Sequence, residues 1–138
     1  MPKMRFSHLA ACGILAAMTT TTSSSTRVFV PRSPGVELCL LRQHPDRGLT
    51  FVLRMSRGAR AERHAHPGGE DTYVLSGRLR IDRRVAADRR PLPDVPLGPG
   101  DHLFAEPGEV HEGIAEEDTE ILVFAPGGIA GPPSDAAG

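Results

Sequence analysis

The chain has 138 residues, enough for one domain with a core of its own, and 15 Gly and 13 Pro beside one Tyr and no Trp describe a turn-rich chain. A formal net charge of −1 excludes a global electrostatic pull toward nucleic acid or an anionic membrane. The charge is unevenly placed, with fourteen Arg against seven acids in residues 27–90 and ten acids with no base in 91–138, so the two halves are expected to neutralise each other where they interleave.

Residues 1–26 are expected to be a disordered or leader-like segment. Lys3 and Arg5 precede a mildly apolar run that His8 interrupts, and the run is too short to span a bilayer. Cys12 in "LAAC" has the look of a lipoprotein box but lies too near the start for a full signal, and "TTTTSSST" closes the segment. Two readings stay open: a cytoplasmic protein with an unstructured arm or a start at Met18, and export through an atypical signal.

From residue 27 onward the chain reads as strands and turns, without helical periodicity. Val36–Leu41, with Cys39 as a small buried residue, and Leu49–Met55 are the first apolar runs, and His44 between them is a loop histidine. Ala61–His66 leads into a Pro67-Gly68-Gly69 turn, after which Glu70 begins the partner strand. Thr72–Leu75, then Ser76-Gly77, then Leu79 and Ile81 alternating with charges describe a hairpin. Residues 84–96 read as a solvent-exposed excursion. His102–Ala105 follows a Gly-Pro-Gly turn, and Val110–Ile114 with Glu120–Ala125 make the last pair. The expected core is Phe51, Leu53, Met55, Leu79, Ile81, Phe104, Leu122 and Phe124. The expected architecture is an all-β sandwich or barrel over residues 27–126, with a disordered Gly/Pro-rich tail at 127–138.

The stretch "HAHPGGED" carries the chemistry. On a strand His64 and His66 point the same way, about 7 Å apart, and can converge on one ion through bonds of about 2.0–2.2 Å. The turn brings Glu70 back to the same point, and His111 after "EPGEV" is the candidate fourth donor. Three imidazoles and one carboxylate suit a divalent Fe, Mn, Ni or Zn ion. Glu70, the only charged donor, is the candidate catalytic residue because it tunes the ion. His102 and Tyr73 are candidate substrate contacts, with a surface histidine beside Asp101 and a packing tyrosine as their plainer readings.

Gly58, five residues, His64-x-His66, three residues, Glu70, six residues and Gly77 resemble the first motif of the cupin superfamily, and Gly100-Asp101 through Pro107-x-x-Val110-His111 resembles the second. The second departs from the pattern at Glu106, where Pro is usual, and at Ala115, where Asn is common. The resemblance implies a double-stranded β-helix (jelly-roll) barrel holding one divalent metal on His64, His66, Glu70 and His111. "SPGVELCLL…GLTFVLRMSRGARAERHAHPGGEDTYVLSGRLRID" looks most like the ChrR-type cupins, which include the lid domain of zinc-binding anti-sigma factors and some small dioxygenases. What the resemblance implies is a small-molecule substrate, a homodimer paired through sheet edges, and a metal-dependent enzyme of dioxygenase-like or isomerase-like chemistry. The alternative is a non-catalytic zinc sensor or binding module.

Overall fold

A computed structural model describes residues 19–131. Among them lie eleven strands: β1 (Val30–Ser33), β2 (Val36–Gln43), β3 (Leu49–Met55), β4 (Arg60–Ala65), β5 (Glu70–Ser76), β6 (Leu79–Val85), β7 (Pro91–Leu92), β8 (Val95–Leu97), β9 (His102–Ala105), β10 (Val110–Ala115) and β11 (Thr119–Ala125). One sheet runs β1-β2-β3-β11-β5-β9; the other runs β4-β10-β6-β7, with β8 also on β6. Every pairing is antiparallel. The chain crosses between the sheets at each step from β3 to β6 and again at each step from β8 to β11, which makes a jelly roll.

Those crossings correct three expected pairs. Glu70 does not open a strand beside β4, Ser76-Gly77 does not close a β5–β6 hairpin, and β10 does not pair with β11. Period-two patterning reports that a strand has a buried face, not which strand lies beside it. Gly77 is a corner between sheets. Its φ is +87°, and a Cβ there would run into the Asp118 carbonyl and the Thr119 hydroxyl. The excursion at 84–96 is largely exposed, as expected, but it also forms short strands, with Arg84 opposite Leu92 and Ile81 opposite Val95 across β6. The prolines fit there because these short strands lie at the sheet margin.

The inner faces bury Val36, Phe51, Met55, Val74, Leu79 and Ile81 among others, each large side chain contributing about 1.5–3 kcal/mol. Leu53 packs against this cluster. Phe104 and Phe124 are exposed instead, and Leu122 is half-buried. Ile121, Val123 and Ala125 take the inward positions of β11. Leu122 and Phe124 alternate with them and so face out. Cys39 is buried and unpaired.

Acids of the second half do meet arginines of the first: Arg27 and Arg54 with Glu120, Arg60 and Arg83 with Glu112, Arg84 with Glu109. Ala130 pairs with Ala65 through two 2.9 Å backbone hydrogen bonds, so part of the expected tail is packed on the barrel. Glycines at 68 and 127 permit that approach, since a Cβ on Gly68 would lie 2.6 Å from the Gly127 nitrogen. The expectations for residues 1–18, with Cys12, and for 132–138 fall outside the described residues.

Candidate metal centre

The centre is assembled where β4 ends, β5 begins and β10 passes alongside. His64 is the penultimate residue of β4, His66 follows that strand, and Glu70 is the first residue of β5. His111 enters through register, because β10 pairs antiparallel with β4 and sets His111 opposite His64. The ring centroids of His64 lie 4.6 Å from His66 and 4.8 Å from His111, and His66 lies 5.4 Å from His111. One donor atom from each of His64, His66, Glu70 and His111 falls within 4.8 Å of all the others. The four residues singled out in the sequence are thus brought together.

Hydrogen bonding turns the imidazoles toward a common point. His64 Nδ1 lies 2.6 Å from the Glu62 carbonyl, which accepts its proton, and His111 Nδ1 lies 3.0 Å from Glu109. Each ring is left with Nε2 for the centre. His111 Nε2 stands 3.3 Å and His66 Nε2 3.2 Å from the same Glu70 oxygen. Despite that proximity, neither His66 nitrogen has a partner in hydrogen-bonding geometry, although the residue is 1% exposed. An orphaned, buried imidazole beside a buried carboxylate is what a missing cation would leave, so the residues fit a divalent ion.

The electrostatics agree. Burial pushes His66 down to about 4 and lowers His64, so both are neutral donors at pH 7. Burial also opposes charge on His111, but the hydrogen bonds of Glu109 and Glu70 outweigh it and push the imidazole up to about 9. Burial disfavours the Glu70 carboxylate, yet His111 and the other two imidazoles hold it below the usual range. The cluster therefore attracts positive charge: a proton on His111 when no ion is bound, and a cation otherwise.

Glu109 is the residue that sequence reasoning missed. It is 2% exposed. It takes Arg84 in a two-point ion pair of 2.9 and 3.1 Å while accepting from His111. Burial would neutralise it, but His111 and Arg84 hold it down to about 2. The available signal was its position two residues before His111, the same alternation that linked His64 to His66.

His102 and Tyr73 lie away from the centre. They face each other in the β5–β9 register, both exposed, on the outer surface of the first sheet. Glu70, Thr72 and Val74 occupy the inward positions of β5, so Tyr73 points the other way. His102 lies 2.7 Å from Asp71, and neither residue lines the cavity at the centre. His44 packs edge-on against Phe124, with Thr50 at 2.8 Å.

A cavity of about 590 Å³ opens onto the centre, and all four candidate ligands line it. The profile of the ChrR cupin-like domain matches residues 17–130. The chain belongs to the ChrR cupin-like family. This cupin is 28% identical over 102 residues to the DNA damage-repair/toleration protein DRT102 of Arabidopsis thaliana, a match covering 72% of the chain but only 30% of that protein. Its fold is also that of KdgF from Halomonas sp. (TM-score 0.63, 18% identity, 87% of this chain and 99% of that one). A chain of the Rhodobacter sphaeroides complex of SigE with the anti-sigma ChrR superposes with a TM-score of 0.60 at 22% identity, over 75% of this cupin and 50% of that chain.

Proposed function

We propose that this cupin is a small metal-dependent enzyme acting on a small organic molecule, with dioxygenase-like or isomerase-like chemistry. The observation that carries the proposal is that His64, His66, Glu70 and His111 all line an open cavity large enough for a ligand, rather than closing on themselves in the core. A divalent Fe, Mn, Ni or Zn ion held there would supply Lewis acidity and, if redox-active, electrons for O₂ chemistry.

The chain's own residues do the rest. Glu70 is the proposed catalytic residue, since its single negative charge offsets half that of a divalent ion and sets how strongly a ligand is polarised. His64 and His111 are held in one tautomer by Glu62 and Glu109. Leucine, isoleucine and phenylalanine side chains give the cavity mainly apolar walls. A second reading, a closed zinc site in a sensor or binding module, draws support from the donor count, because four protein ligands complete a tetrahedral ion.

Azide or nitric oxide added to the Co(II)- or Fe(II)-loaded protein separates the two. A perturbed spectrum reports exchangeable positions and supports the enzyme; silence with both metals overturns it in favour of the closed site. We also propose a homodimer, supported by the exposed Tyr73, Phe104 and Phe124 on the outer face of the first sheet, and a cytoplasmic location. A monomeric mass in sedimentation at micromolar concentration would rule the dimer out. Among the described residues no helix is long and apolar enough to cross a membrane.

A further inference from the structure

The walls of the cavity narrow the ligand. The first sheet contributes Leu38, Phe51, Leu53 and Met55 to the lining, and the second contributes Leu79 and Ile81. Away from the metal centre, Thr72 is the one buried polar side chain among the described residues that lines it. Exposed Leu40 and Ile129 give the rim an apolar edge, and exposed Arg32 and Arg63 stand there with Glu62.

Two features of charge act together. With a divalent ion bound, Glu70 neutralises only half of it. At the rim two guanidiniums face one carboxylate. Both ends are left net positive, which concentrates anions at the opening and favours an anionic head at the centre. The wall between them rejects hydroxyl-rich and doubly charged molecules, whose polar groups would face leucine, isoleucine and phenylalanine without hydrogen-bond partners.

Resting on the reading of this centre as a metal site with exchangeable positions, we propose that its ligand is a medium-chain monocarboxylate. The carboxylate faces the ion, and an apolar body lies along the Leu38–Leu53 wall. A cavity of about 590 Å³ suits a molecule of roughly 10–20 non-hydrogen atoms.

The test uses the full chain loaded with Co(II). Acetate, hexanoate, octanoate and decanoate are titrated calorimetrically, with octanol, oxalate and glucuronate alongside, and the Co(II) absorption spectrum is recorded at each end point. Affinity should rise about threefold to fourfold per methylene from hexanoate to decanoate. Octanoate should perturb the spectrum, and octanol should bind at least tenfold more weakly. Leu38→Trp should lower octanoate affinity at least tenfold while leaving the azide perturbation intact. Arg63→Gln, at an exposed position that needs no repacking, should weaken octanoate about threefold at low salt and leave octanol unchanged.

Affinities flat within twofold from acetate to decanoate, or oxalate or glucuronate binding more tightly than octanoate, would overturn the proposal. Chain-length dependence without a spectral change would also overturn it, because the head would then lie away from the ion. If azide still perturbs the spectrum in any of these cases, the metal-enzyme reading survives the loss of this ligand. If azide is silent as well, that reading falls with it.

Discussion

Glu109→Gln is the perturbation that most directly probes how the barrel prepares its centre. The wild-type carboxylate accepts from Arg84 at 2.9 and 3.1 Å and from His111 Nδ1 at 3.0 Å, all in a setting where its side chain is 3% and that of Arg84 11% exposed. Glutamine keeps the length but offers one oxygen and one NH₂. Whichever way the amide turns, its NH₂ meets a donor, either the guanidinium or the imidazole. An unsatisfied buried donor costs about 1–3 kcal/mol, and this cost should appear as a lower melting temperature in EDTA. The second effect is on the ion. Loss of a carboxylate behind a ligating histidine typically costs 10–100-fold in metal affinity, about 1.4–2.8 kcal/mol, because the ring loses both orientation and basicity. Chelator competition with Zn(II) or Co(II) measures that affinity apart from the melting point. Arg84→Met is the companion variant: it should lower the melting temperature, yet keep metal affinity within tenfold, since Glu109 retains its charge and its bond to His111. A folded Glu109→Gln protein with metal affinity within twofold of wild type would refute the positioning role.

Four further outcomes are expected. Glu70→Gln should weaken metal binding at least tenfold in chelator competition, and in an open site it should also alter the azide response; a change in stability alone would mark the closed zinc site. Gly77→Ala should destabilise by roughly 2–4 kcal/mol, combining a left-handed backbone with overpacking against Asp118 and Thr119. Gly58→Ala, whose φ is +85° but whose Cβ would meet nothing within 4 Å, should cost only about 1–2 kcal/mol. Glu120→Gln should cost about 0.5–1 kcal/mol at pH 7 through lost pairing with Arg27 and Arg54. Although burial opposes its charge, those arginines hold the Glu120 carboxyl below its ordinary value, so its contribution is present above the usual carboxylate range and disappears as pH falls through the lowered value. Chemical denaturation of both proteins at pH 7 and pH 3 should show the gap closing.

Eight of the eleven strands were legible as apolar or alternating runs between turns, while β1, β7 and β8 were not; the sheets were not legible, because partner choice is a property of the whole barrel. Leu79 and Ile81 alternate with charged residues and their burial followed at once. In "EILVFA" apolar residues occupy both faces, so nothing local says that Val123 is buried and Phe124 exposed. The decision is made by β3 and β5 on either side of β11, which put Phe51 and Thr72 level with Val123. The same logic decides between the two readings of His102: Leu103 and Ala105 take the inward positions of a four-residue strand, and a histidine alternating with them faces solvent.

The metal centre was legible for a different reason. Three of its four residues lie within seven positions of one another, so strand geometry and one turn bring them together almost regardless of the sheet around them. His111 required the second motif, and what makes it useful is a register pairing with His64 that no short window contains. The supporting Arg84 and Glu109 come from β6 and the turn before β10, meeting only because those strands are neighbours in the second sheet. The cavity is more distributed still, with its lining drawn from both sheets and the segment after β11. Local sequence therefore reveals where an ion could be held, while the surroundings that would decide its ligand are written in strand neighbours. That is why metal affinity and ligand preference should separate cleanly by mutation: Glu109 and His111 govern the first, Leu38 and Arg63 the second.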